Sequence, residues 1–285
     1  MTIKVGVLPQ REVSQKPVSL KPLLLLTNWI SRLQVLIFEM QSKAITVWFV
    51  LACPIANAQV EHPSHRKHHE LNESHDNELV TSVFWDSKYV SEGRDNLEDG
   101  GLGSVALDWT PSLELDGELT FAGWYAEGTS VDYTELNLGV AYEWNLEEIG
   151  ISAGYTWLDF AEDNESDSEF SLELGRTLYS DIDFQTAFIY STEAGGTFIE
   201  VVLSKSFDQE KLSWSPYLLL GVNEGYVSDE LKGVNHLQLG LEATVPLSDH
   251  LELGGYIAYT MDLKREPGQT LDDIFWLGMN LGWRN

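Results

Sequence analysis

The chain has 285 residues, with 17 basic and 45 acidic side chains and a single cysteine. Such acidity repels phosphate backbones and argues against nucleic-acid binding, and one thiol cannot build a disulfide framework. After Ala58 no apolar run is long enough for a membrane helix, yet barrel strands alternate polar and apolar residues, so a β-barrel remains open.

In chain order, residues 1–39 fit no mature fold and read as an extension ahead of the true start at Met40. Residues 40–58, MQSKAITVWFVLACPIANA, form a signal peptide. Lys43 supplies the charge, Ala44 to Ile55 the apolar stretch, and Ala56-Asn57-Ala58 the cleavage site. A genuine long leader, or an inner-membrane helix from about Leu23 to Ile37, is the alternative, opposed by Asn28 and Arg32. Cys53 lies inside the signal peptide, so the mature chain carries no thiol. A lipidated Cys53 is the competing reading, but Leu51 fits that motif poorly.

Residues 59–78 are a histidine-rich flexible segment. His62, His65, His68, His69 and His75 crowd together, and neutral imidazoles at this density can capture Zn²⁺, Ni²⁺ or Cu²⁺. The simpler reading is an unstructured periplasmic tail, since the spacing follows no known ligand pattern.

Residues 79–285 alternate apolar and polar with a period of two, the signature of strands with two unlike faces. Twelve such segments begin near Val80, Leu102, Leu113, Tyr133, Ile149, Phe170, Ile182, Thr197, Leu212, His236, Leu251 and Ile274. Tight links lie near Pro111, Asn145–Glu148, Ser180, Asp208–Lys211 and Ser248–Asp249. Longer links lie at Ser91–Gly101, Glu127–Asp132, Ala161–Ser168, Ser191–Gly196, Asn223–Gly233 and Asp262–Asp273. Short turns alternating with longer loops, and an even strand number, predict an all-β, antiparallel transmembrane barrel of about twelve strands. The apolar face carries Tyr125, Trp157, Tyr190, Tyr259 and Phe275 at the long-loop end, and Trp109, Trp144, Phe207, Trp214 and Trp283 at the other, as two interfacial girdles. Lys205 falls on this face near the short turns, and Arg176 nearer mid-strand, where it must snorkel.

The last strand, Trp276-Leu277-Gly278-Met279-Asn280-Leu281-Gly282-Trp283, resembles the C-terminal assembly signal of outer-membrane barrels, although Arg284 and Asn285 follow the aromatic. The mature chain is similar to a family of uncharacterised Gram-negative outer-membrane proteins. The resemblance is carried by Trp85 to Asp95, by Asn223-Glu224-Gly225-Tyr226-Val227, and by Gly233 to Leu241. It implies a barrel in the cell outer membrane, but neither an activity nor site residues.

On the polar face the alternation places Glu118, Glu135, Glu143, Glu173, Glu200, Glu242 and Glu252, with Lys88 the clearest inward base. A narrow duct lined by carboxylates concentrates cations and disfavours anions, which points to a porin-like diffusion channel for small cationic or neutral solutes. The alternative is a closed barrel whose interior is filled by Trp124, Tyr217, Tyr256 and Trp276, serving structure or binding partners through its loops. Handling of metal by the histidine-rich segment is a third possibility. Glu162 to Asp167 reads as a solvated loop rather than a Ca²⁺ site, lacking the spacing of such loops. Enzymatic activity is not expected: His236 is followed two residues on by Gln238, which is no nucleophile. No cofactor is expected. The partners expected are outer-membrane lipids, lipopolysaccharide, the barrel-assembly machinery, and small solutes or divalent cations. The termini are expected in the periplasm.

Overall fold

The computed structural model describes residues 77–97, 100–227, 232–263 and 273–285. The extension, the signal peptide, all five clustered histidines of the 59–78 segment and Cys53 lie outside these described residues.

The strands are β1 (Glu78–Asp86), β2 (Val90–Ser91), β3 (Arg94–Asp95), β4 (Leu102–Thr110), β5 (Glu118–Gly128), β6 (Thr134–Leu146), β7 (Ile149–Phe160) and β8 (Glu165–Leu178). They continue with β9 (Ile182–Ser191), β10 (Gly196–Ser204), β11 (Phe207–Gln209), β12 (Leu212–Glu224), β13 (Gly233–Pro246), β14 (Leu251–Asp262) and β15 (Ile274–Arg284). Twelve of them form one antiparallel meander. β1 pairs with β4, pairing passes strand to strand to β10, then to β12 and on to β15, and β15 returns to β1. The sheet therefore closes on itself and leaves no unpaired edge. The short β11 prolongs the β10 side of the hairpin beyond Lys205 and Ser206.

The alternation decides which face is which. In β13, His236, Gln238, Glu242 and Thr244 are buried, while Leu239 and Leu241 are exposed. Exposed Val105, Leu107, Phe121, Leu172, Ile257 and Leu281 continue the outer face on other strands. A sheet in water would bury those groups; here the polar face is enclosed and the apolar one lies outside. That inversion is stable only where hydrocarbon covers the outside. Aromatic residues reinforce both ends of the outer face: Trp109 stacks on Phe121 at 5.5 Å and Phe207 on Trp214 at 4.2 Å, while Tyr125, Tyr190, Tyr259 and Phe275 stand exposed towards the opposite end.

Three local expectations are corrected. The third segment starts at Glu118, not near Leu113. Pro111 has no N–H for the ladder, and Leu115 N–H donates to the Leu113 carbonyl, so Leu113 and Leu115 lie exposed in a turn. The loop placed at Ala161–Ser168 shrinks to residues 161–164, because β7 pairs with β8 from Phe160↔Glu165 onward. Within it Asn164 takes the left-handed conformation (φ 53°) that Asn tolerates better than most residues. Arg176 is not mid-strand. It sits two residues from the end of β8, where its guanidinium meets Glu148 at 3.0 Å in the adjoining turn. The first loop, expected only as a longer link over Ser91–Gly101, folds inward.

Tyr217 on β12 lies across Gly240 of β13, so closely that any Cβ at 240 would strike its ring. The ring cannot swing away cheaply, since it is buried and its hydroxyl accepts from Gln238 Nε2 at 2.8 Å. Gly240→Val is expected to cost about 1–3 kcal/mol of stability through overpacking, read from the urea midpoint of the refolded barrel. An unchanged midpoint would mean that this interior is loosely packed.

Candidate functional site

The loop between β1 and β4 turns into the barrel. Ser87 anchors its start: its N–H donates to the Leu277 carbonyl at 2.8 Å, and Leu277 N–H donates to Ser87 Oγ at 3.0 Å. The chain then makes the small hairpin β2–β3, in which Glu92 (φ 44°) and Gly93 (φ 79°) take left-handed conformations. A positive φ at glutamate is strained, and surrounding contacts must hold it. Those contacts reach the wall in several directions. Val90 packs with Tyr256, Ala258 and Trp276 of β14 and β15, whereas Tyr89 and Leu97 pack with Leu102, Trp124 and Ala126 of β4 and β5. Tyr89 donates to Glu135 of β6 at 2.8 Å, and Asn235 of β13 donates to the Glu92 carbonyl at 2.6 Å. The segment thus crosses the interior from one side of the wall to the other.

A β-bulge shapes the wall where it meets the hairpin. The β12–β13 register slips between Gly221↔His236 and Val222↔Val234, leaving Asn235 as the extra residue. Such an insertion re-aims side chains, and here Asn235 and His236 both serve the hairpin. A Cβ at Gly93 would come within 2.6 Å of the His236 ring, so only glycine lets the hairpin seat against it. His236 is 1% exposed, lies over Gly221 and stacks on Phe198 at 6.1 Å. A second inward piece follows β12: Gly225 bridges to Thr197, Tyr226 sets its ring edge against Phe198, and its hydroxyl donates to Glu169 of β8.

Carboxylates dominate the electrostatics. Glu92 is 5% exposed, bonded by Ser91 Oγ at 2.6 Å and by Arg94 at 3.1 Å. Glu135 (1% exposed) accepts from Tyr89, Tyr133 and Asn137. Glu135, Glu169 and Glu200, from three different strands, lie close enough to Glu92 to interact with its charge. Lys88, the expected inward base, is neutralised within the segment by Asp95.

The remaining expected lumen residues divide into two groups. Cross-strand pairing carries an oblique line along the inner face through Glu118, Glu143, Ser152, Glu173, Ala187, Glu200, Gly221 and His236. Four of the seven expected glutamates therefore share one band, with Glu173 and Glu200 separated along it by Ala187 of β9. Glu242 stands apart, opposite Ser215 and Tyr256, and Glu252 opposite Gly282 near the short turns. Glu135 belongs with the inward loop. The sequence reading did not select Glu92, Glu169, Tyr226 or Asn235. Glu169 was hidden because β8 begins before Phe170, and Asn235 because the bulge breaks the alternation of β13; Glu92 and Tyr226 lie in connections without strand periodicity.

The interior also holds Trp124, Tyr217, Tyr256 and Trp276, all buried, as the closed-barrel alternative expects. Gln238 joins that packing, bonded to Tyr217 and accepting from Thr260 at 2.9 Å. The acidic stretch 162–167 acts as structure: Asp167 accepts from Ser191, from Thr192 Oγ1 at 3.1 Å and from Glu193 N–H at 2.9 Å, capping the neighbouring turn. Among the described residues, no three His, Cys, Asp or Glu side chains are arranged to hold a metal ion.

Comparison with solved structures agrees with this architecture. The KdgM porin superposes with a TM-score of 0.50 at 6% identity, covering 72% of this chain and 98% of that one. The chain has the fold of an outer-membrane β-barrel. The NanC porin (TM-score 0.45, 10% identity, 72% of this chain and 97% of that one) and an outer-membrane channel from Pseudomonas putida F1 (0.48, 10%, 76% and 100%) are more distant likenesses. No protein-family model and no curated protein matches the sequence. The likeness is one of fold, and fold alone does not carry activity.

Proposed function

We propose that this barrel is a narrow outer-membrane channel for small cationic or neutral solutes, constricted by its inward first loop. The observation supporting it most is the band of Glu118, Glu143, Glu173 and Glu200 crossing the inner face. A wall of one charge sign in a low-dielectric bore raises the local concentration of counter-ions. Both ends of the described chain, Glu78 in β1 and Arg284 in β15, lie together with the short turns and share an ion pair at 3.0 Å. In the proposed orientation that end faces the periplasm, and the inward hairpin lies towards the cell exterior.

The test is a planar-bilayer recording of the mature chain across a KCl gradient. A reversal potential on the cation side is expected, moving towards zero when Glu118, Glu143, Glu173 and Glu200 are changed together to Gln. Anion preference would refute the selectivity. The second reading, a closed barrel, is favoured by the buried Trp124, Tyr217, Tyr256 and Trp276. It wins if no current flows even after the first loop is removed.

A further inference from the structure

We infer that the first loop, residues 87–97, is a proton-responsive plug: it stays seated in the lumen while Glu92 is neutral and leaves when Glu92 ionises. As a gate this deepens, and rests on, the channel reading; as a movement of the loop it stands alone.

The geometry brings like charges together and encloses them. The segment carries Glu92 across the barrel into the neighbourhood of Glu135 on β6, Glu169 on β8 and Glu200 on β10. Both Glu135 and Glu169 are 1% exposed, so water does not screen them, and Glu169 Oε2 has no hydrogen-bond partner. A buried carboxylate oxygen without a donor is costly when ionised. Among the described residues, the cations paired in the hairpin are Arg94 and Lys88. Arg94 pairs with Glu92 from within the segment but stands half in solvent, and Lys88 is taken by Asp95. Tyr89, Tyr133 and Tyr226 face the cluster with hydroxyls already committed to Glu135 and Glu169. His236 is the base facing the hairpin from β13, against Gly93. A proton taken up by one of these carboxyls removes a charge from the cluster without any rearrangement.

The sign follows from Glu92. Burial pushes its carboxyl above the usual carboxylate range; Arg94 and the Ser91 hydroxyl oppose this, and the Glu135 charge adds to it. Released into water, the same carboxyl returns to its ordinary value. The seated state thus binds the proton more tightly than the released one. Its advantage is complete below the ordinary carboxylate value and is lost as pH rises through the seated value. The plug is seated in acid and released towards alkaline pH.

Two readouts test this on the whole mature barrel in lipid vesicles. Val90 is 2% exposed, packed on Tyr256 and Trp276, so Val90→Cys reports seating through its rate of reaction with a water-soluble maleimide. Labelling is expected to speed up at least about tenfold between about pH 5 and about pH 8, after correction for thiolate fraction with a free thiol. Adding Glu92→Gln should keep labelling slow at both values, and adding His236→Gln should leave the wild-type pH response. A flat corrected rate, or a response that survives Glu92→Gln, overturns the inference. Conductance separates the two readings. If a barrel lacking 88–97 conducts while Val90→Cys labelling ignores pH, the plug fails and the channel stands. If labelling follows pH but the shortened barrel is silent, the channel fails and the moving loop stands.

Discussion

Replacing Lys88–Leu97 by a short Gly-Ser turn is expected to raise single-channel conductance roughly tenfold or more, because a pore's current is set by its narrowest section. The exchange removes Tyr89, Val90, Glu92 and Leu97 from the interior at once, all of them buried there. It should leave the cylinder standing, since β1 and β4 pair without interruption from Glu78↔Thr110 to Asp86↔Leu102 and do not need the loop to hold register. Some stability is lost, as each buried apolar side chain contributes about 1.5–3 kcal/mol. Planar-bilayer recording of matched preparations measures the effect. Equal conductance in both would show that the bore is limited elsewhere, by Trp124, Tyr217, Tyr256 and Trp276 in the packed interior.

The second large effect concerns the outer face. Leu239 lies at the centre of β13, 48% exposed, between Leu218 on β12 and Tyr259 on β14. If lipid covers this face, Leu239 lies between the bilayer midplane and the girdle that holds its neighbour Tyr259, and Leu239→Arg should cost about 1–3 kcal/mol. Glu173→Gln, on the inner face, is expected to cost less than about 1 kcal/mol. Urea unfolding of vesicle-inserted protein measures both. An arginine at 239 as harmless as the glutamine at 173 would mean that no hydrocarbon touches this surface.

The strands were legible because each carries its own evidence. Ile149, Ile182, Leu212, Leu251 and Ile274 were expected strand starts and are the observed ones, since period-two alternation records which side of a wall a residue faces. The first loop was not legible in that way. Nothing local in residues 87–97 distinguishes a hairpin lying in the lumen from one standing outside. The distinction is made by Asn235, Glu135 and Trp276, each far away in sequence. The resemblance implied no site residues. Its three stretches, Trp85 to Asp95, Asn223 to Val227 and Gly233 to Leu241, supply the hairpin, Tyr226, and the bulge with Asn235 and His236. In space they meet at one end of the barrel. The glutamates of the wall could be assigned from alternation alone, but Glu135 could not be assigned to the loop, because its partner Tyr89 is a long-range neighbour.

The pairing of β1 with β15 also governs how the molecule is made. Every other seam in the wall joins strands adjacent in sequence and can zip soon after both emerge, but Val80↔Arg284 through Asp86↔Gly278 joins opposite extremities of the domain. The entropy of closing so large a loop must be met before that seam returns anything. Until then two unsatisfied strand margins stay open to other chains. Delivery of the intact polypeptide therefore has to precede closure, and loss of the final strand would leave a sticky sheet rather than a smaller cylinder.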